Sequence, residues 1–420
     1  MNQIKAMTSK LSTTGFFHIF GSSVVSKIIT FLSSIILVRI LTKQAYGSFT
    51  YAWNIYSLVL MLDGMGLVSG CLQFCSENSK NKTLCNGIYL YSTKIGVIFN
   101  CAIGLVLLAI AFFVPLPISG SNSLLVLLCC LPIVTFIYEM QIIYLRSNKE
   151  NVSYAKISLI QVILVFTFSV VGAYIFKSAG LILARYIAYF LVAILAIGYI
   201  KPGKMEKIIL PSDLKKSLFK ISGISMLNNG LSQLLYLLDI FVIGIIAADG
   251  LSVASYKVAT TIPNALAFIP LALVTYIYPY FAEHREDKSW CLKRYKVILI
   301  AMGAFNFCVS LGLFVMAPYI IKAFFGADYM DAVTSFRILS ISYFFSGTFR
   351  VISGNLLVTQ RKIGFNLFVA AFSGVVNIVG DYILVSLYGS EGAAVATFMV
   401  VLLTSLLSTA YLFYTYKHER

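Results

Sequence analysis

The chain has 420 residues, of which 59% are hydrophobic and only 11% charged, with a formal net charge of +16 and a mean hydropathy of +0.89. A soluble domain carries roughly 45–50% apolar and 25% charged residues, so this composition excludes one. A transmembrane β-barrel is excluded as well, because its strands are only about 9–11 residues long whereas the apolar stretches here run to about 20–28.

In chain order the predicted spans are 16–41, 47–71, 86–114, 121–146, 152–176, 178–200, 217–247, 252–281, 294–320, 333–358, 363–387 and 390–414. Each is long enough to cross a hydrocarbon core of roughly 30 Å. Nothing between them is long enough to fold as a separate soluble domain. The expected fold is an all-α polytopic membrane protein of about twelve transmembrane helices, in two parallel six-helix bundles around a central cavity. The bundles are placed at 1–200 and 217–420, joined by a cytoplasmic linker at 201–216 that carries Pro202, Gly203, Pro211 and Ser212.

The halves echo each other. The first span has a polar stripe of Ser23, Ser26, Lys27, Thr30, Ser33 and Ser34. The seventh has Ser225, Asn228, Asn229, Ser232, Gln233, Tyr236 and Asp239. Both follow the spacing of one helix face, and lipid offers such a face nothing, so both are assigned to an inner cavity. Polar contacts between packed helices would explain the same stripes. A second echo sets Leu145-Arg146-Ser147-Asn148-Lys149 against Leu357-Val358-Thr359-Gln360-Arg361-Lys362.

With the N-terminus inside, Lys5, Lys10, Lys80, Lys82, Arg146, Lys149, the Lys201–Lys220 and Arg285–Lys296 clusters, Arg361, Lys362, Lys417 and Arg420 face the cytoplasm. Lys43, Lys177 and Lys322 face the other side. That asymmetry predicts cytoplasmic termini and accounts for the positive charge without nucleic acid. The polar start, with a long first apolar segment after it, gives no expectation of a cleavable signal peptide. The cysteines and histidines form no metal-binding spacing, and no catalytic or nucleotide-binding motif occurs, so no cofactor, metal or catalytic residue is expected.

Lys27, Arg39, Lys94, Lys156, Arg185, Lys257, Arg337 and Arg350 fall in or beside apolar spans, against the acids Asp63, Glu139, Asp239 and Asp381. A charge at the bilayer centre costs at least roughly 2.5–3.5 kcal/mol, so such residues face a bundle interior or a water-filled path. Arg39, Lys156 and Arg337 lie near span ends, where snorkelling accounts for them. Lys27, Lys94, Arg185, Lys257 and Arg350 are the predicted cationic path for an anionic cargo; arginine adds bidentate phosphate recognition. Asp63, Glu139 and Asp239 are predicted coupling acids or counter-ions. Glu139 and Arg146 share a helix face and are read as bracketing one site.

Three segments carry a family likeness. They are Leu41-Thr42-Lys43-Gln44-Ala45-Tyr46-Gly47-Ser48-Phe49, Leu237-Leu238-Asp239 leading to Ala254-Ser255-Tyr256-Lys257-Val258-Ala259, and Tyr388-Gly389-Ser390-Glu391-Gly392-Ala393-Ala394-Val395-Ala396-Thr397 after Asn377. Over its whole length the chain resembles Wzx-type polysaccharide repeat-unit (O-antigen) flippases of the MOP superfamily, which also holds the MATE multidrug extruders. The resemblance implies a multi-pass protein of the bacterial inner membrane that moves undecaprenyl-diphosphate-linked oligosaccharide across it for lipopolysaccharide synthesis. Implied partners are that lipid-linked substrate, membrane lipids, a polysaccharide polymerase and a chain-length regulator. The alternatives are a MATE-like drug antiporter, which would favour an acid-rich cavity, and a membrane polysaccharide polymerase, which would carry a large extracytoplasmic loop.

Overall fold

A computed structural model describes residues 16–78, 80–200 and 208–418. Among them every regular element is helical. The segments are α1 (Phe16–Ile40), α2 (Lys43–Glu77), α3 (Lys82–Phe113), α4 (121–147), α5 (151–176), α6 (178–200), α7 (Ser212–Ala247), α8 (Gly250–Glu283), α9 (Lys288–Phe324), α10 (333–359), α11 (363–388) and α12 (390–418). They match the predicted spans closely. Lys5, Lys10, Arg420 and the linker positions 201–207 lie outside the described residues, as do the side chains of Asn228, Ser232 and Tyr236 in the predicted stripe.

Two runs are continuous by hydrogen bonding yet too long for one crossing. Asn151–Ile200 has 50 residues and Ile363–His418 has 56, whereas about 20 residues cross the core. Each is folded back at a single residue: Lys177 with φ 52° and ψ −131°, and Gly389 with φ 57° and ψ −135°. Glycine adopts that backbone readily, and lysine does so only under strain. Just past each turn a small residue lets the two helices touch backbone to backbone. A Cβ on Gly180 would stand 1.8 Å from the Gly172 carbonyl oxygen, and one on Gly392 would stand 2.0 Å from that of Leu384.

The second sequence echo is also a repeated structure. Lys149 and Arg361 both have φ 60°. Lys149 N donates to Arg146 O at 3.1 Å and Glu150 N to Leu145 O at 2.9 Å; Arg361 N donates to Val358 O and Lys362 N to Leu357 O, each at 2.9 Å. Both are Schellman caps that satisfy the last carbonyls of a helix.

By contact the chain divides into two compact units, 1–233 and 234–420. The first has a core of Leu67, Cys71, Ile88, Phe136, Met140, Ile157, Val192 and Leu218; the second is centred on Phe281, Cys291, Tyr295, Ile352, Leu356 and Leu412. Large apolar side chains such as Phe113, Tyr174 and Ile300 stand fully in the open, as lipid-facing residues do.

The hairpin contact makes a stability prediction. Gly180→Val places branched carbons against a backbone oxygen that cannot move aside, so a loss of about 3 kcal/mol, the upper part of the overpacking range, is expected. On the same helix Gly198 has open space around it, and Gly198→Ala should be neutral or stabilising by up to about 1 kcal/mol. Thermal denaturation of the two detergent-purified variants checks the contrast.

Candidate substrate and cation sites

In the first unit, α2 is interrupted in mid-span. Residues Leu60–Gly66 leave the α-helix, with Asp63 at φ −46° and ψ 125° and with Gly64, Met65 and Gly66 at φ 48°, 54° and 71°. Non-helical backbone at membrane depth is tolerated only where protein or a cavity satisfies it. Here Asn100 of α3, fully buried, does so: its Oδ1 accepts from Gly64 N at 3.0 Å, and its Nδ2 donates to Asp63 Oδ1 at 2.7 Å and to Pro132 O at 3.2 Å. The carboxyl of Glu139, from α4, stands beside that of Asp63. Glu139 is exposed.

Across two tyrosines from this carboxyl pair sits Arg185 of α6. Tyr56 and Tyr189 lie within electrostatic range of both Arg185 and Glu139. The guanidinium lies 4.3 Å from the Trp53 ring centroid and 5.6 Å from that of Phe49, with Nη1 donating to Leu181 O at 3.0 Å. Trp53 packs against Tyr56 at 4.9 Å, and Tyr138 meets Tyr189 edge-on at 5.3 Å. Arg185 makes no ion pair among the described residues. Stacking on aromatic faces replaces the counter-ion, so the charge and most of its donors stay free for an anion.

In the second unit, Asp239 of α7 is buried and collects donors from three other helices. The Tyr256 hydroxyl of α8 donates to Oδ2, Thr397 Oγ1 of α12 does so at 2.7 Å, and Asn377 Nδ2 of α11 donates to Oδ1 at 3.3 Å. Asp381, also on α11 and fully buried, lies next to Asp239. Among the described residues, both Asp381 oxygens and Asn377 Oδ1 lack a hydrogen-bond partner. These three orphaned acceptors, beside a second carboxyl and with no cationic side chain on them among the described residues, are costly when buried. A bound hard cation or a shared proton would satisfy them, and the all-oxygen donor set suits an alkali ion rather than a thiophilic metal.

The other predicted residues lie apart from these two clusters. Lys27 on α1 and Lys94 on α3 are exposed, and no hydrogen bond, ion pair or ring contact joins either to the Arg185 cluster. Lys257, beside Tyr256, is half-buried with no partner among the described residues. Arg350 closes a π-helical turn, Ser346–Arg350, and is likewise half-buried and unpartnered there. That turn is pinned by Asn306, which donates to Thr348 Oγ1 at 3.1 Å and accepts from the Tyr343 hydroxyl at 2.9 Å. Glu139 and Arg146 form no ion pair; Arg146 is exposed at the end of α4. Sequence reasoning left Trp53, Asn100, Tyr256, Asn377, Asp381 and Thr397 off the site, although Tyr256, Asn377 and Thr397 stood in or beside segments it had singled out and Asp381 was one of the acids it had named.

Residues 36–334 match the family described as polysaccharide biosynthesis protein. The chain belongs to that family. No curated protein matches it. Among solved structures, this polysaccharide biosynthesis protein is similar to an inward-facing MATE multidrug resistance transporter of the MOP superfamily, at 12% identity and TM-score 0.74, with 93% of this chain and 94% of that one covered. It is similar to the lipid II flippase MurJ in an inward closed conformation, at 14% identity and TM-score 0.74, with 94% and 87% covered. A MOP superfamily transporter from Pyrococcus furiosus, whose binding pocket is described as of reversed polarity, aligns at 12% identity and TM-score 0.62, with 97% and 95% covered. At these identities the likeness is one of fold: that of a multi-pass helical membrane protein.

Proposed function

We propose that this polysaccharide biosynthesis protein is a lipid-linked oligosaccharide flippase of the bacterial inner membrane. It moves undecaprenyl-diphosphate-linked O-antigen or related repeat units outward by alternating access, with both termini in the cytoplasm. The observation that carries this reading is Arg185, a guanidinium held on aromatic rings with no carboxylate paired to it among the described residues. A diphosphate must shed water to cross a low-dielectric interior, and a fixed cation offsets that cost. Trp53 and Tyr189 beside it are partly exposed and offer flat faces on which sugar rings pack.

Coupling is assigned to the carboxyl pairs. Asp239 and Asp381, with Asn377, Thr397 and Tyr256, hold a monovalent cation or proton whose occupancy differs between conformations, which is what linkage to a gradient requires. Asp63 and Glu139 form a second acidic pair at the broken helix. Such pairs would also serve a MATE-like antiporter of cationic drugs. Arg185 separates the readings, since a fixed positive charge repels such drugs.

The experiment is deletion with complementation. Loss of the gene should strip polysaccharide from the cell surface while undecaprenyl-linked repeat units accumulate inside, and the wild-type copy should restore both. Unchanged surface polysaccharide with altered sensitivity to cationic drugs would favour the antiporter instead.

A further inference from the structure

At one end of the second unit, where the α8–α9 and α10–α11 connections meet, a cavity of ≈ 160 Å³ is lined by Arg285, Glu286, Lys288, Gln360 and Arg361. Three of the five are cations. Among the described residues the Glu286 carboxylate pairs with Arg285, its chain neighbour, Nε to Oε1 at 2.8 Å. Lys288 Nζ donates to Gln360 Oε1. That contact fixes which end of the Gln360 amide is oxygen, because an ammonium cannot accept. Gln360 is 8% exposed and its Nε2 has no partner among the described residues, so a buried donor is left over beside three positive charges. Donors in surplus around a small cavity match an anion with several oxygens.

The surroundings narrow the class. The cavity opens at helix ends, the level at which lipid headgroups lie. Trp290, in the first turn of α9, stacks on His284 at 4.2 Å, a placement usual for membrane-interface aromatics. Ile363, which begins α11 directly after the cavity, is 54% exposed and gives the next layer an apolar face. Arg361 is held in the left-handed region by its helix cap, a conformation that costs a non-glycine residue energy. A glycine would form that cap more easily, so the arginine is unexplained by folding alone.

We propose that this cavity is a phosphate-binding site, separate from the transport path, that takes a phosphate group carried by an anionic lipid headgroup or free in water. Basic pockets between membrane helices are a known means of holding such groups, and arginine's planar fork matches phosphate oxygens in pairs. The site does not depend on which substrate the protein moves.

The test uses the full chain in detergent, with phosphatidylglycerol, phosphatidylcholine and inorganic phosphate as probes, read by native mass spectrometry and thermal shift. Arg361→Gly removes the charge while easing the backbone, so it should fold at least as well as wild type. Retention of phosphatidylglycerol should fall roughly tenfold, as expected for losing one charge-assisted hydrogen-bonded contact, with phosphatidylcholine unaffected. Arg285→Ala should act in the same direction. If inorganic phosphate alone stabilises wild type but not Arg361→Gly, the free anion is the occupant; if phosphatidylglycerol alone does, it is the lipid. Equal binding of both probes by wild type and both variants would overturn the site. So would an equal loss in Lys296→Ala, an exposed cation away from the cavity, because that would reduce the effect to general charge.

Discussion

Asp381→Asn should abolish gradient-driven transport while leaving the protein as stable as wild type, or more so. The substitution keeps the side chain's shape and replaces a fully buried carboxyl whose two oxygens have no partner with a neutral amide, and removing an uncompensated buried charge relieves a cost. What it takes away is one of the two carboxyls beside Asn377 and Thr397. Loss of a charged ligand should weaken apparent cation affinity by about a hundredfold, equivalent to about 2.7 kcal/mol. The measurement is flipping of a fluorescent lipid-linked oligosaccharide in proteoliposomes under imposed sodium and proton gradients, alongside a melting curve. If Asp381→Asn transports at the wild-type rate with the same gradient dependence, this pair does not couple. If it unfolds, the carboxyl belongs to the architecture rather than to the cation site.

The second large effect is expected at Arg185. Arg185→Ala should remove surface polysaccharide, with normal protein level in the membrane, because the free guanidinium and its stack on Trp53 disappear together. Losing a charge-assisted contact to the diphosphate costs about 1.5–3 kcal/mol, so transport should fall roughly tenfold to a hundredfold. Arg185→Lys should recover only part, since an ammonium gives a point charge without the planar fork. Wild-type polysaccharide in Arg185→Ala would remove the anionic cargo's main anchor and with it the proposed flippase reading.

The fold was largely legible because hydropathy and helix geometry act locally. Spans read from apolar runs match the helices nearly end for end, and Tyr388-Gly389 announced the turn between α11 and α12. Sequence could also mark Arg185 and Asp239 as misplaced in lipid. It could not pair them. Asp239 and Asp381 sit on different helices and meet only through tertiary packing, so Asp381 stayed one acid among several in apolar spans and Asn377 a flank to a motif. The stacking of Arg185 on Trp53 was hidden for the same reason. Lys27 and Lys94 failed to join that cluster because helical position alone does not tell which way a long flexible side chain turns. The break in α2 had a visible cue, glycines at 64 and 66 flanking Met65 after an aspartate, but two glycines in an apolar helix are commonplace and do not by themselves predict unwinding.

The folded-back turns at Lys177 and Gly389 set the phase of the helices they open. Arg185 stands the same number of residues past the first turn as Thr397 stands past the second, and each points at its unit's chemistry: the anion-ready guanidinium in one, the donor to Asp239 in the other. A helix advances about 100° per residue, so the turn works as an origin from which the azimuth of the functional position is counted. Side chains between origin and site can change freely so long as Gly180 and Gly392 keep the helices in contact, whereas inserting or deleting one residue there would swing the site a quarter-turn or more away. In each unit the turn therefore fixes the address at which the chemistry is delivered, whatever that chemistry is.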